Sequence, residues 1–488
     1  MKDLARVAVV ISKPTFHSYM VPLGYLYVIA CLREAGHQVC VLNFSSSDPE
    51  SYDHLRTSLA AIRPDLVIAG TSYKFHNNCP SSTISSAIQV SRTAKELCRG
   101  CCTLLIGPLN TVMEAVLLKD PAVDAVALGE PEDICVEVTR AVTENTSLSE
   151  VAGLALLKKH LVERTAKRPY PDVNRLPIPD RESVTEREFI FPSYFSNRTT
   201  ELLSSRGCPF QCTYCFGAQN SRRQEHNVGP AFRATDPEKV IEEIDLLYSK
   251  WNVRGIKFSD VEFCVSAKRV EAISRLLVSR KYPDLRWRVV TRVTSVDPSL
   301  LKLMHDAGCR HIYYGVESGD EAVLASMNKK ISLEEIRTTF KDTWKAGIKP
   351  EASFLLGVPG ETLDSAKRTI KFANELSPFL VTFHVFVPFP GIPLEEKLKT
   401  ISDMTLDQWD VYQLKGGISY CYVPALKLDQ LSRKAYRDFY LRPGTLARMI
   451  LQLGDSAFRG YIVALATGNN EGSWLRNMLF SKKRLPDK

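Results

Sequence analysis

Three cysteines carry the chemistry that is easiest to read from this chain. Cys208, Cys212 and Cys215 stand in the run Arg206-Gly207-Cys208-Pro209-Phe210-Gln211-Cys212-Thr213-Tyr214-Cys215, a C-x3-C-x2-C spacing inside one loop. Thiolates so spaced can take three irons of a [4Fe–4S] cluster and leave the fourth iron open to a small molecule offering amino and carboxylate groups. A structural zinc site wants a fourth ligand at similar spacing, and the nearest histidine downstream, His226, is eleven residues past Cys215. Zinc and merely buried thiols are the two competing readings.

A loop can hold a cluster only if rigid elements fix both its ends. Around the triplet, residues 196–400 alternate strand candidates at 201–204, 255–258, 287–291, 311–315, 352–356 and 381–387 with amphipathic helices such as 237–251 and 333–346. Six β/α units predict a partial (β/α)6 barrel whose chemistry sits at the C-terminal ends of the strands. Asp260 and Glu262 follow the second of these strands, Arg292 follows the third, Glu317 ends the fourth, and Gly357 and Gly360 flank Pro359 in a turn after the fifth. A carboxylate at Glu317 can accept hydrogen bonds from a ligand on that rim.

An earlier block, residues 1–145, repeats short Val/Ile-rich runs at 7–11, 39–42, 66–69, 104–106 and 125–128 with helices between them. This pattern predicts a Rossmann-like, doubly wound parallel sheet. Its ligand would lie past the carboxyl ends of the strands, in loops 12–22, 70–79, 107–110 and 129–132. No G-x-G-x-x-G follows the first strand, which disfavours a dinucleotide. Residues 146–195 read as a hairpin around Lys158-Lys159-His160 and then a linker with Pro169, Pro171, Pro177 and Pro179. The remaining stretch, 401–488, reads as mainly helical. The fold class is therefore α/β with a helical C-terminal region.

Composition is that of an ordinary globular protein: 488 residues, 44% hydrophobic, with a thin basic excess of +8 spread along the chain. That excess, densest at Lys482-Lys483-Arg484, is weak support for a nucleic-acid partner, and none is expected. The start, Met1-Lys2-Asp3-Leu4-Ala5, lacks the features of a secretory signal, and no apolar run approaches the roughly 20 residues of a membrane span. No integral membrane segment and a cytoplasmic location are expected. Thirteen cysteines in a reducing compartment then read as ligands or buried thiols, not disulfides.

The triplet, with Tyr214 before its last cysteine, resembles the radical S-adenosylmethionine (SAM) superfamily. Thr291-Arg292-Val293, His305-Asp306-Ala307-Gly308-Cys309, Gly315-Val316-Glu317-Ser318-Gly319, Met327-Asn328-Lys329, Leu356-Gly357-Val358-Pro359-Gly360-Glu361-Thr362 and Pro388-Phe389-Pro390-Gly391-Ile392-Pro393 continue the likeness in order across residues 200–395. These segments look like the branch with an N-terminal cobalamin (B12) domain, the branch of C-methyltransferases and of the anaerobic Mg-protoporphyrin monomethyl ester cyclase. The resemblance implies Cys208, Cys212 and Cys215 as cluster ligands, and Asp260, Arg292, Glu317, Gly357 and Gly360 as SAM contacts. Where relatives tend to show Asp-Asp-Asn-Phe, this chain has Asp260-Val261-Glu262-Phe263.

The first block resembles the cobalamin module in Pro22-Leu23-Gly24-Tyr25, Glu34-Ala35-Gly36-His37, Arg63-Pro64-Asp65-Leu66-Val67, Gly107-Pro108 and Gly129-Glu130-Pro131-Glu132. Ser72, Tyr73, Gly107, Gly129 and Glu130 are then the expected cobalamin contacts, with Ser72 and Tyr73 nearest the cobalt. The cobalt-ligating D-x-H-x-x-G is absent, since His17, His37 and His76 all lack its Asp and Gly; within the branch such absence is usual. The resemblance implies methylation of an unactivated carbon of a small-molecule substrate, with flavodoxin or ferredoxin as electron donor. Oxidative cyclisation or ring rearrangement with the same cofactors, and a non-enzymatic cobalamin or redox sensor, stay open. tRNA methylthiolation is disfavoured, because Cys31, Cys40, Cys79, Cys98, Cys101, Cys102 and Cys135 lack the arrangement of a second cluster. Trp409, Tyr412, Tyr420, Tyr422, Tyr436 and Tyr440 are expected as core or as a cap shaping an apolar substrate pocket.

Overall fold

The computed structural model describes residues 4–13, 21–46, 48–75, 82–220, 227–396 and 420–459, apart from 453, 456 and 457. His17, His76, Cys79, Trp409, Tyr412 and Lys482-Lys483-Arg484 lie outside the described residues.

The N-terminal sheet contains β1 (Arg6–Ser12), β2 (Gln38–Phe44), β3 (Leu66–Gly70), β4 (Cys102–Ile106), β5 (Ala125–Ala127), β6 (Leu154–Lys158) and β7 (Leu161–Arg164), in the order β2-β1-β3-β4-β5-β6-β7. The first five are mutually parallel. Their sequences read as unbroken apolar runs because both faces are covered: every residue of β1 after Arg6, and all five of β3, are buried. The order 2-1-3-4-5 reverses direction between β1 and β3, and a ligand crevice opens at such a switch point. The hairpin β6–β7 adds two antiparallel strands. It turns on Lys159 and His160, both at positive φ, the backbone of a two-residue turn that matches strand twist.

The helix Leu23–Glu34 is buried from Leu23 through Leu32. A helix apolar all round must be covered all round. The sheet lies on one side; on the other, Leu26 O accepts from Asp180 N at 3.1 Å and the Tyr27 ring lies under the Arg206 guanidinium at 5.0 Å.

β8 (Arg168–Pro169) pairs with β11 (Asn227–Val228), and β10 (Ser205–Gly207) with β12 (Phe232–Ala234). The large second sheet holds β9 (Thr199–Leu202), β13 (Gly255–Phe258), β14 (Arg286–Thr291), β15 (Cys309–Glu317), β16 (Lys349–Leu356) and β17 (Leu380–Val385), all parallel and in chain order. Among the described residues β9 and β17 do not pair, so this is an open, partial barrel.

An open barrel leaves β17 with unpaired backbone groups. The helix Ala425–Tyr440 covers that edge: Tyr440 Oη accepts from Val381 N at 3.0 Å and donates to Val381 O at 2.9 Å, and Tyr436 Oη accepts from Phe383 N at 2.9 Å. Two of the tail tyrosines thus substitute for a missing strand. Tyr440→Phe removes both partners of Val381 in a dry site and is expected to cost about 1–3 kcal/mol; faster amide exchange at Val381 with a lowered unfolding midpoint checks it, and unchanged exchange there would contradict it.

Candidate active site

The cysteine loop leaves β10 at Gly207, whose φ of 79° is left-handed and turns the chain sharply into Cys208. Cys208 and Cys212 are buried and Cys215 is half-buried. Two hydrogen bonds hold the middle of the loop against residues 327–328: Thr213 N to Met327 O at 3.0 Å, and Asn328 Nδ2 to Gln211 O at 2.9 Å. Burial pushes Cys208 up to about 11 and Cys215 up to about 12, with the neighbouring thiols adding to the shift. Thiols in that state become thiolates when a cationic metal centre joins them, which is how such ligands are deprotonated. Among the described residues no three His, Cys, Asp or Glu side chains gather around a single-ion position; a cuboidal cluster gives each thiolate its own iron.

Beside the loop lies a rim of polar groups, each delivered by the end of a barrel strand. From β15, Glu317 sits at φ 69°, just after a register shift between Gly315 and Glu317. A non-glycine residue there is strained by about 1–3 kcal/mol, and the surroundings enforce it. Tyr214 Oη donates to Glu317 Oε1 at 3.0 Å, and Lys329 Nζ lies 3.2 Å from the same oxygen and 3.1 Å from Tyr214 Oη. From β14, Arg292 places Nη1 3.4 Å from Cys212 Sγ, rests its guanidinium 4.2 Å from the Phe210 ring centroid, and bonds Lys329 O. Past β13, Glu262 accepts from Thr291 Oγ1 and from Arg292 N at 2.9 Å; burial pushes it up to about 7 against those bonds.

Of the residues expected to touch SAM, Arg292 and Glu317 therefore stand directly against the cysteine loop. Asp260 is at the rim, but Ser204 N, Ser204 Oγ and Ser205 Oγ donate to its oxygens at 2.8, 2.7 and 2.5 Å. Gly357 and Gly360 lie past β16 at φ 87° and 88°. Gly357 N donates to the buried Glu361, and a Cβ on Gly357 would stand 2.9 Å from Leu428, so the C-terminal helix packs on that turn. Lys329, to which the sequence assigns no role, is nearly fully buried against Glu317.

On the first sheet, Ser72, Tyr73, Gly107, Gly129 and Glu130 all lie past the carboxyl ends of β3, β4 and β5. Ser72 Oγ donates to Lys74 O at 2.8 Å, and Tyr73 is buried. Gly107 sits at φ 133°, where a Cβ would be 2.7 Å from Thr71 Oγ1; Gly129 sits at φ 95° against the Asn227 side chain. Glu130, expected as a corrin contact, is held by two arginines. Its oxygens take Arg206 Nη1 at 2.6 Å and Arg233 Nη1 at 3.0 Å, while Glu132 takes Arg206 Nη2 at 2.7 Å. Arg206 is two residues before Cys208, so this buried network fastens the cysteine loop to the first sheet.

The two carboxyl-end rims face one another. Between them is a cavity of about 190 Å³, lined by Val21, Leu23, Gly24, Lys74 and Phe75 on one side and by Glu201, Leu203, Lys257, Arg288 and Tyr313 on the other. Sequence reading missed these charged residues; the available signal was a charge inside strands that must be buried, which needs a partner or a task.

The chain matches the radical SAM superfamily over residues 202–373, the stretch that runs from the end of β9 through the rim just described. Residues 202–373 form a radical SAM domain. The whole chain is 27% identical over 435 residues to an uncharacterized methyltransferase of Pyrococcus horikoshii, covering 88% of this chain and 90% of that one. It is also 27% identical to the anaerobic magnesium-protoporphyrin IX monomethyl ester cyclase of Cereibacter sphaeroides, covering 86% of this chain and 67% of the cyclase. In fold it resembles the radical SAM methyltransferase TsrM of Kitasatospora setae, solved with cobalamin and a [4Fe–4S] cluster, at a TM-score of 0.66 and 17% identity over 80% of this chain and 77% of TsrM. The cobalamin-dependent enzyme OxsB superposes at 0.62 over 85% of this chain and 55% of OxsB. Among the described residues no helix is long and apolar enough to cross a membrane.

Proposed function

We propose that this radical SAM protein is a cobalamin-dependent C-methyltransferase acting on a small molecule held between its two sheets. The observation that carries the reading is the facing of two rims across one cavity, the switch point of the 2-1-3-4-5 sheet and the carboxyl ends of the barrel strands. Cys208, Cys212 and Cys215 would hold the [4Fe–4S] cluster, and the loops past β1 and β3 the cobalamin. When bound, the cluster supplies the electron that cleaves SAM to 5′-deoxyadenosyl, and cobalamin supplies the methyl group delivered to the carbon that loses hydrogen.

The chain's own residues do the positioning. Arg292, donating toward Cys212 Sγ, stabilises negative charge on that sulfur and so tunes the cluster's potential. Tyr214 and Lys329 hold Glu317 to one orientation, with a carboxylate oxygen to offer the amino or ribose groups of SAM. The buried walls of the cavity keep water from a reactive carbon. Flavodoxin or ferredoxin is the proposed electron donor.

Oxidative cyclisation is the second reading, favoured by the likeness to the cyclase over 86% of this chain and 67% of the cyclase. Anaerobic reconstitution with cluster and cobalamin, followed by mass spectrometry of 5′-deoxyadenosine and of candidate substrates, separates the two. A gain of one methylene per turnover is expected; loss of hydrogens or gain of oxygen would transfer the assignment to cyclisation, and absence of 5′-deoxyadenosine would leave only a cofactor-binding sensor.

A further inference from the structure

One row of side chains across the barrel interior is charged although the fold asks only for strand-formers there. Glu201 on β9, Lys257 on β13 and Arg288 on β14 are direct cross-strand neighbours, Lys257 being in register with both. All three line the cavity between the sheets. Glu201 Oε1 is shared by Lys257 Nζ at 2.8 Å and Lys74 Nζ at 3.3 Å. Arg288 gives Nε and Nη2 to Glu351 Oε2 at 3.0 and 2.8 Å.

Donor accounting leaves a remainder. An ammonium has three N–H groups and a guanidinium five. Among the described residues Lys257 donates only to Glu201, and Arg288 Nη1 donates to none. Two cationic groups on adjacent strands thus border the same space with unused donors. Partly desolvated cations so placed favour an anion, and charge-assisted bonds to a carboxylate or phosphonate are the strongest such groups make.

We propose that Lys257 and Arg288 bind an anionic group of the substrate, so that the molecule modified in this cavity is an organic carboxylate or phosphonate rather than a neutral or cationic compound. This rests on the reading of the cavity as the substrate chamber. The anion holds the substrate at the wall of the cavity formed by β9, β13 and β14 and leaves its other end free to extend toward Glu317 and the cysteine loop. Lys257 and Arg288 are specificity residues in this assignment, and ordered water is the competing occupant.

The test is equilibrium dialysis of the full chain against phenylacetate, phenylphosphonate, phenylacetamide and phenethylamine. SAM has its own carboxylate and cobalamin its own phosphate, so the chain is first reconstituted and loaded with hydroxocobalamin and S-adenosylhomocysteine. The expected result is retention of the two anions about tenfold above the amide and amine, loss of that preference in Lys257→Met and its return in Lys257→Arg. Equal retention of phenylacetate and phenylacetamide by the unaltered chain overturns the proposal, whether or not the variants fold, and so does an unchanged preference in folded Lys257→Met. Cofactor uptake is read separately by absorbance. A chain that takes up neither cluster nor cobalamin defeats the function proposed above; on that cofactor-free chain the anion assignment is decided by folded Lys257→Met, which keeps the anion preference only if the anion sits elsewhere.

Discussion

Cys212→Ala, reconstituted anaerobically beside the unaltered chain, is expected to form 5′-deoxyadenosine at least about a thousandfold more slowly, a loss of ~4 kcal/mol of transition-state stabilisation. The reason is arithmetic of ligands: with two thiolates left, the cluster has lost its hold on one iron, and the open corner that should receive SAM is no longer defined. Cys212 is also the ligand beside Arg292, with Nη1 3.4 Å from its sulfur, so its removal strips the guanidinium of its acidic partner at the same time. Iron content and visible absorbance should fall with activity. Cys264→Ala is the control, since Cys264 is equally buried but lies outside the loop; it should keep the cluster. Full iron content in Cys212→Ala would show that the triplet is not the cluster site.

Arg206→Met carries the second large effect, on stability. The Arg206 side chain is 3% exposed and faces Glu132 at 0% and Glu130 at 13%. Burial alone would lower the guanidinium's affinity for its proton, and Glu132 and Glu130 outweigh that. Removing the cation takes this ion pair from the buried Glu132, and the neighbouring Arg233 pairs with Glu130. Breaking a buried pair from one side costs about 3–5 kcal/mol, read here as a shift of the urea transition. Arg206→Met with Glu132→Leu should recover much of the loss, since replacing a whole buried pair by apolar groups is often neutral. A loss below about 1 kcal/mol in the single variant would mean that water reaches Glu132 and that the network is not a dry joint. Cluster content belongs in the same experiment, because β10 carries Arg206 directly into Gly207 and Cys208.

Much of the architecture was legible because it is written in local periodicity. The apolar runs at 7–11 and 66–69 became β1 and β3, and the six later candidates became β9 and β13 to β17. Boundaries moved where tertiary contacts decide them. Periodicity places the fourth barrel strand at 311–315, but it runs Cys309–Glu317, since the register shift after Gly315 lets pairing continue to the strained Glu317. It places the first at 201–204, but that strand is Thr199–Leu202, because Ser204 leaves the ladder to donate to Asp260. Of the tail tyrosines expected as core or pocket cap, Tyr436 and Tyr440 are buried in the core, and their hydroxyls also complete the backbone of an open sheet edge.

By itself the sequence determined the cysteine loop, the alternation of strands and helices, and the side of each sheet on which chemistry sits. Each of these is a consequence of covalent spacing over about ten residues or fewer, and the period of a strand or helix does not depend on distant partners. Only the tertiary structure decided who meets whom. It brought Glu130 to Arg206 across 76 positions and Tyr214 to Glu317 across 103. It gave Lys329 a place beside the cysteine loop, and it set Lys257 between Glu201 and Arg288 in one row. Such pairings are not encoded in any local pattern, because a buried charge is tolerated wherever the fold happens to supply its partner, and that partner is chosen by strand order and register.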